Sequence, residues 1–280
     1  MRCKAMSGLA MQAVNIGKRY RIGEGAYADY RGMHALLERA FRAPFRYLTR
    51  NIGEGGRGAA AAWSPRHYVW VLREVSFAVQ QGEVLGLVGH NGAGKSVLLK
   101  ILSRITRPTE GSATIRGRVG SMLEAGAGFH PELTGRENIF LSGTILGMKQ
   151  SEIARQFDEM VAFSGIEEYL DTPVKRYSSG MYVRLAFAVA VHIQAEIMLM
   201  DEILATGDES FRRQCLEKIR SVAATGCAVI FVGHDMDVVR SLCSRALLLE
   251  AGRVIMDDTA ERVVARYLSN SDAPHRRLSF

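Results

Sequence analysis

Cysteine is scarce in this chain: Cys3, Cys215, Cys227 and Cys243 are all that 280 residues contain, with no C-x-x-C spacing and no histidine pairing nearby. That excludes a disulfide framework or a zinc-ribbon site and fits a reducing cytosol. Long hydrophobic runs are missing as well. No stretch approaches the ~18–20 uninterrupted apolar residues that span a bilayer. The opening residues Met1-Arg2-Cys3-Lys4-Ala5-Met6 have no apolar core of a signal peptide. Any membrane role is therefore expected to come through a partner. No internal repeat is evident. Acidic residues are the minority, 29 against 36 Lys and Arg, for a net charge of +7. Such a balance suits an anionic partner, whether nucleotide, lipid headgroups or nucleic acid, and charge alone does not choose among them.

What is present starts with a core: 48% of the chain is hydrophobic, enough for one large α/β domain with insertions or a domain with a small appendage. Its most specific feature is Gly89-His90-Asn91-Gly92-Ala93-Gly94-Lys95-Ser96, which fits G-x-x-x-x-G-K-[ST]. The apolar run Val84-Leu85-Gly86-Leu87-Val88 precedes it, and Val97-Leu98-Leu99-Lys100-Ile101-Leu102 follows with helical character. Strand, glycine-rich loop and helix are the context in which this motif cradles phosphates. Backbone N–H groups of Gly89, Asn91, Gly92, Ala93 and Gly94 turn toward the anion, and the helix at Ser96 and Val97 adds its positive end. Lys95 is expected to reach the β- and γ-phosphates and Ser96 to hold Mg²⁺. The chain is thus read as binding a nucleoside triphosphate.

Around this motif the pattern predicts strands at Val14–Arg21, Val69–Gln81, Ile197–Met200 and Ala228–Val232, with short β-like runs from Ser112 to Leu123. It predicts helix over much of Arg136–Leu170 and again at Arg184–Gln194, whose run from Leu185 to Val191 is apolar all round and hence buried. Apolar strands alternating with helices indicate a mainly parallel sheet covered on both faces. The strand Ile197-Met198-Leu199-Met200 delivers Asp201 and Glu202 to the sheet end where the phosphate loop lies. Asp201 is expected to bind Mg²⁺, and Glu202 to orient the water that attacks the γ-phosphate. The next strand ends in Phe231-Val232-Gly233-His234, placing His234 at the same edge to contact that phosphate. Tyr177-Ser178-Ser179-Gly180-Met181 precedes the buried helix, where Ser178, the Gly180 backbone and the helix start form a second anion-binding surface.

Taken in order, these pieces resemble the nucleotide-binding subunits of ATP-binding cassette (ABC) transporters, over about Val69 to Val254. The resemblance implies a single cassette over 1–280. Its expected parts are a mainly parallel core sheet, an antiparallel β subdomain and a helical signature subdomain at about 124–180. The family's Leu-Ser-Gly-Gly-Gln signature stands here as Tyr177-Ser178-Ser179-Gly180-Met181, with Arg184 as its downstream arginine and Asp208 in the D-loop. By resemblance two cassettes form a homodimer in which Ser178, Ser179, Gly180 and Met181 reach the partner's ATP. The family's metal-linking glutamine is absent, and Glu124 is the nearest candidate metal ligand. Tyr20 matches the aromatic that stacks on adenine, with Tyr68 and Trp70 as rivals. The segments Leu123-Glu124-Ala125-Gly126-Ala127-Gly128-Phe129-His130-Pro131-Glu132-Leu133-Thr134-Gly135-Arg136-Glu137-Asn138 and Tyr177 to Phe187 look like the polysaccharide-export branch. That branch implies ATP and Mg²⁺ as cofactors, a separate transmembrane permease as partner and a lipid-linked glycan of O-antigen, capsule or teichoic-acid type as cargo. It places the protein at the cytoplasmic face of the cytoplasmic membrane. No C-terminal carbohydrate-binding domain is expected before Phe280.

An insertion at about 22–68 sets this chain apart. Leu36, Leu37, Phe41, Phe45 and Leu48 recur at helical spacing among Arg39, Arg42, Arg46 and Arg50, with Pro44 as a break and a Gly/Ala link behind. Two readings stay open: a helix lying on anionic headgroups or the permease, or one packing its apolar stripe on the cassette. Other functions also remain in view: a different transported substrate, or an ABC-type ATPase acting on nucleic acid or ribosomes. The single cassette and the missing coiled-coil or mismatch-reading domains argue against the last, so no nucleic acid is expected.

Overall fold

The computed structural model of the chain describes residues 8–22, 67–122, 126, 128–201 and 209–271. The expected basic helix at Leu36–Arg50, together with Glu124, Glu202 and Asp208, lies outside the described residues.

Two sheets make up the β structure. One is three-stranded and antiparallel, ordered β2-β1-β4, from β1 (Leu9–Ile22), β2 (His67–Gln80) and β4 (Glu110–Ile115). The other is six-stranded, ordered β5-β6-β7-β3-β8-β9. Its strands are β3 (Val84–Val88), β5 (Val119–Ser121), β6 (Ile197–Asp201), β7 (Ala228–Val232), β8 (Arg245–Glu250) and β9 (Arg253–Thr259). All neighbours are parallel except the β8–β9 pair. The α/β fold with a mainly parallel core sheet and an antiparallel β layer is therefore as expected.

Both faces of the core sheet are covered, and side-chain alternation shows how. In β6, Met198 and Met200 join one core cluster while Ile197 and Leu199 join the other. The first cluster takes in α4 (Ser179–Val191), α5 (Glu209–Ala224), α6 (Met236–Leu242) and α7 (Ala260–Ser271) through Phe187, Phe211, Val239 and Val263. The second packs α1 (Lys95–Leu102) and the antiparallel sheet through Leu98, Leu99, Met11, Ile16, Leu72 and Val75. A third cluster joins α2 (Gly135–Ile145) and α3 (Gln150–Ser164) to α4 through Ile139, Ile153 and Met160 against Leu185 and Val189. Cys215, Cys227 and Cys243 are buried free thiols. Burial pushes Cys227 up to about 11, so it packs as a small apolar group.

Two sequence expectations shift. β1 begins at Leu9, well before Val14, because Asn15 at φ 49° bulges the strand and breaks the period-two pattern of Ala13 and Ile16. The buried helix begins at Ser179, ahead of Arg184, because Ser178 Oγ accepts the Met181 N–H at 3.2 Å and caps it there.

One side chain ties the two sheets together. From β8, Arg245 donates to Ala78 O of β2 at 3.1 Å, to Glu83 Oε1 at 2.7 Å, and through Nε and Nη2 to both Asp257 oxygens of β9. Glu83 accepts in turn from the Gln80 N–H at 2.7 Å. Arg245→Ala leaves the largely buried Glu83 without its cation, and the expected loss is about 3 kcal/mol. Urea unfolding midpoints check this. Arg245→Lys should recover only part of the loss, since an ammonium lacks the planar fork that spans Glu83 and Asp257.

Candidate functional site

All five residues of β3 are buried, so the strand leaves the core only at its last residue. Gly89 follows at a place where a Cβ would sit 2.4 Å from the Leu249 carbonyl oxygen. Gly92 turns at φ 82° with nothing within 4 Å of a would-be Cβ, so the loop presents bare backbone there. Gly94, at φ 105°, caps α1 in the left-handed region, and a Cβ there would meet Leu72 Cδ2 at 2.7 Å and Val71 O at 2.9 Å. The Lys95 side chain, only 7% exposed, curls back under the loop. Its Nζ donates to Gly89 O at 2.5 Å and His90 O at 3.1 Å. Those bonds hold an ammonium beneath the ring of loop amides without exposing it to bulk water.

The other two motifs arrive through strand register. β7 lies between β3 and β6, and Asp201 at the end of β6 pairs with Val232 at the end of β7. His234 stands two residues beyond. A cavity of about 280 Å³ is lined by Asn91, Gly92, Gly94, Lys95, Ser96, Val97, Asp201 and His234, with Val71 of β2 as an apolar wall. Asp235 secures the turn after His234: its Oδ1 accepts the Asp237 and Val238 N–H groups at the start of α6, and Arg212 pairs with its other oxygen. Burial works to raise the Asp235 pKa, but Arg212 and these amides outweigh it and hold the carboxyl below its usual value. A larger cavity of about 780 Å³ opens at the opposite sheet edge, beside Gln81, Glu196 and Cys227. It contains none of the motif residues, so chemistry and not size selects the smaller one.

Adenine recognition has three sequence candidates, and register separates them. Tyr20 pairs across from Val69, two residues before the cavity-lining Val71, whereas Arg19 pairs with Trp70 and lies over Tyr68 and Trp70. Tyr20 is the one on the face of Val71. It does not itself line the cavity.

Ser178, Ser179, Gly180 and Met181 form the cap and first turn of α4, and none of them lines the cavity in this chain. Ser178 and Ser179 are exposed. The surrounding motif residues act as anchors that sequence reading did not single out. Tyr177 Oη donates to Tyr169 O at 2.8 Å and occupies the space that a Cβ on Gly135 would need, at 2.1 Å. Tyr182 Oη donates to Gly126 O at 3.2 Å, and its ring packs edge-on against Phe129 at 5.0 Å. Arg184 donates to Ser164 O at 2.9 Å and lies over Phe211. The His130–Asn138 stretch is a capping device. Thr134 and Glu137 form a capping box, and the fully buried Asn138 amide donates to the carbonyls of His130, Leu133 and Thr134.

Comparison with known proteins places this geometry. The ABC transporter family profile matches residues 72–205. The chain is 42% identical over 196 residues to the O-antigen export system ATP-binding protein RfbB of Klebsiella pneumoniae, a match covering 70% of this chain and 80% of that protein. It is 39% identical over 198 residues to the teichoic acids export ATP-binding protein TagH of Listeria monocytogenes, covering 71% of this chain and 59% of TagH. Among solved structures, a dimeric post-hydrolysis state of the ATP-binding cassette MJ0796 superimposes with a TM-score of 0.65 at 19% identity, over 89% of this chain and 98% of that one. At that identity the likeness speaks for the fold. With 42% identity maintained over four-fifths of a relative's length, the chain belongs to the ABC transporter family, among its ATP-binding proteins.

Proposed function

We propose that the protein is the ATP-hydrolysing subunit of an exporter that moves a lipid-linked polysaccharide, of O-antigen, capsule or teichoic-acid type, across the cytoplasmic membrane. The observation that carries the ATPase reading is the shared cavity: phosphate loop, Asp201 and His234 meet at one sheet edge. The export reading rests on the names of the relatives and on the Leu123–Asn138 and Tyr177–Phe187 segments. Among the described residues no helix is long and apolar enough to cross a membrane. A separate transmembrane subunit would therefore provide the path, with this chain at its cytoplasmic side.

Each residue has a distinct task in this reading. Amides of Asn91, Gly92, Ala93 and Gly94 and the start of α1 hold the phosphates, and Lys95 neutralises the β- and γ-oxygens. Ser96 and Asp201 offer hard oxygen donors to one cavity, which fits Mg²⁺, an ion that takes one or two protein oxygens and completes its shell with phosphates and water. When bound, the ion neutralises charge developing on the β- and γ-phosphates. Glu124 is a further candidate ligand. Glu202, next in sequence to Asp201, takes the proton of the attacking water, and His234 donates to the γ-phosphate. Tyr20 stacks on adenine. Ser178, Ser179, Gly180 and Met181 complete the site of a second copy, whose Asp208 lies across the same interface.

Glu202→Gln should keep ATP affinity while turnover falls ~10²–10⁴-fold, because the amide positions water without accepting its proton. Steady-state phosphate release against nucleotide binding reads this directly, and normal turnover would remove Glu202 from the mechanism. Lys95→Ala should instead weaken nucleotide binding itself, by at least ~10-fold for loss of a charge-assisted contact to phosphate. The transport assignment is tested by purifying the protein from its native membranes. Co-purification of a multi-helix integral subunit, with cargo-dependent ATPase activity, is the expected result. Recovery of ribosomes or DNA without such a subunit would refute export and leave the ATPase site standing.

A further inference from the structure

β1 and β2 outrun the third strand of their sheet. Pairing of β4 with β1 ends at Gly17 opposite Glu110, while the β1–β2 register continues from Lys18 opposite Leu72 to Ile22 opposite His67. What remains is a two-stranded ribbon reaching roughly 16 Å past the sheet. Isolated ribbons of this kind are marginal in water, so its side chains must hold it. The Arg19 guanidinium lies 4.7 Å from the Tyr68 ring centroid and 5.4 Å from that of Trp70, and Arg73 covers Trp70 at 5.2 Å. Lys18 Nζ donates to Thr106 Oγ1 at 3.0 Å and to Arg107 O at 2.8 Å, tying the ribbon to the 103–109 loop. That loop presents Ile105, 62% exposed, between Arg104 and Arg107.

Stacking engages a guanidinium through its flat face and leaves the N–H edges, which bind phosphate oxygens in pairs, available. Neither strand has a carboxylate from Lys18 to Ile22 or from His67 to Arg73, and Glu74 at the base is bonded to Arg253. Beside these cations stand Val69 and Tyr68, 45% and 43% exposed. Polynucleotides would satisfy the cations and leave the aliphatic Val69 and Ile105 in water. A bilayer surface satisfies both, with phosphates at the level of the guanidiniums and an acyl boundary just beneath. We propose that the ribbon end and the 103–109 loop dock directly on an anionic phospholipid surface. This contact belongs to the cassette itself and goes beyond any attachment through a transmembrane subunit.

The test uses the full chain with vesicles of phosphatidylcholine mixed with phosphatidylglycerol, against phosphatidylcholine alone, read by co-sedimentation. Binding is expected on the anionic vesicles and should fall as salt rises. The combined substitution Arg19→Ala, Arg21→Ala and Arg73→Ala should weaken partition on the order of 10²-fold, about fivefold per lost cation. Ile105→Glu, in an exposed loop outside the sheets, should also weaken it, with an unchanged circular-dichroism melting curve showing that the fold is intact. An unaltered partition of the triple variant overturns the proposal. So does a single-stranded oligonucleotide that binds as tightly as the vesicles while Ile105→Glu has no effect on either, since that pattern marks a site for phosphate alone.

Discussion

Backbone packed on backbone at a single junction fixes where the phosphate loop can lie. The turn between β8 and β9 passes directly over the loop: Gly252 N–H donates to Ala93 O at 3.1 Å, and Gly252 O accepts from Arg73 N–H of β2 at 2.8 Å. A Cβ on Gly252 would stand 2.3 Å from Val71 O, one on Gly89 2.4 Å from Leu249 O, and one on Gly94 2.9 Å from Val71 O. Three segments distant in sequence thus meet with no side chain between them. Such contacts leave little room for adjustment, because backbone atoms cannot change rotamer. The loop is clamped from outside, so its amides are ordered before any anion arrives, which lowers the cost of binding one.

That clamp explains why the motif residues were readable and much of their surroundings was not. The phosphate loop, Asp201 and His234 are each announced by a short apolar strand ending in a polar residue, and parallel pairing of those strands does the rest. Glycines of the loop read as phosphate ligands, yet Gly89 and Gly94 also have a packing duty toward β8 and β2 that only the fold reveals. β8 and β9 carry the turn that clamps the loop, but Ala246 to Leu249 is a brief apolar run beyond the last motif and points to no chemistry. The bulges at Asn15 and Glu74, both at positive φ, break the alternation by which strands are recognised. Choosing Tyr20 over Trp70 likewise needed the register, since neighbouring residues on a strand look alike until their faces are known.

Motif residues of the helical layer divide into those that can face a ligand and those that brace. Tyr177, Tyr182 and Arg184 surround Ser178 to Met181 in sequence, and all three bond backbone carbonyls, of Tyr169, Gly126 and Ser164. The exposed cap of α4 is thereby attached to α3, to the turn at Glu167–Tyr169 and to the segment leading from β5. Leu123 to Ala125, adjoining Gly126, follow the core strand β5, so the Tyr182 bond is a direct mechanical link between the helical layer and the core sheet. A residue cluster that resembles a signature for binding is in large part a signature for rigidity.

This rigidity bears on whether one chain is enough. For Ser178 and the Gly180 backbone to touch a phosphate held by the same chain's Lys95, α4 would have to leave its place. Its Leu185 and Val189 are buried against α2 and α3, and its Phe187, Ala190 and Val191 against the core sheet and α5. Withdrawing even two of those side chains costs several kcal/mol, more than a few hydrogen bonds to an anion return. The exposed helix start is therefore best used by a phosphate presented from outside the chain. A second copy offers one at fixed geometry, because its loop is clamped in the same way. Under the proposed function, the two halves of each site come together or separate as rigid bodies, which is how a reaction at the phosphates can move elements far from them.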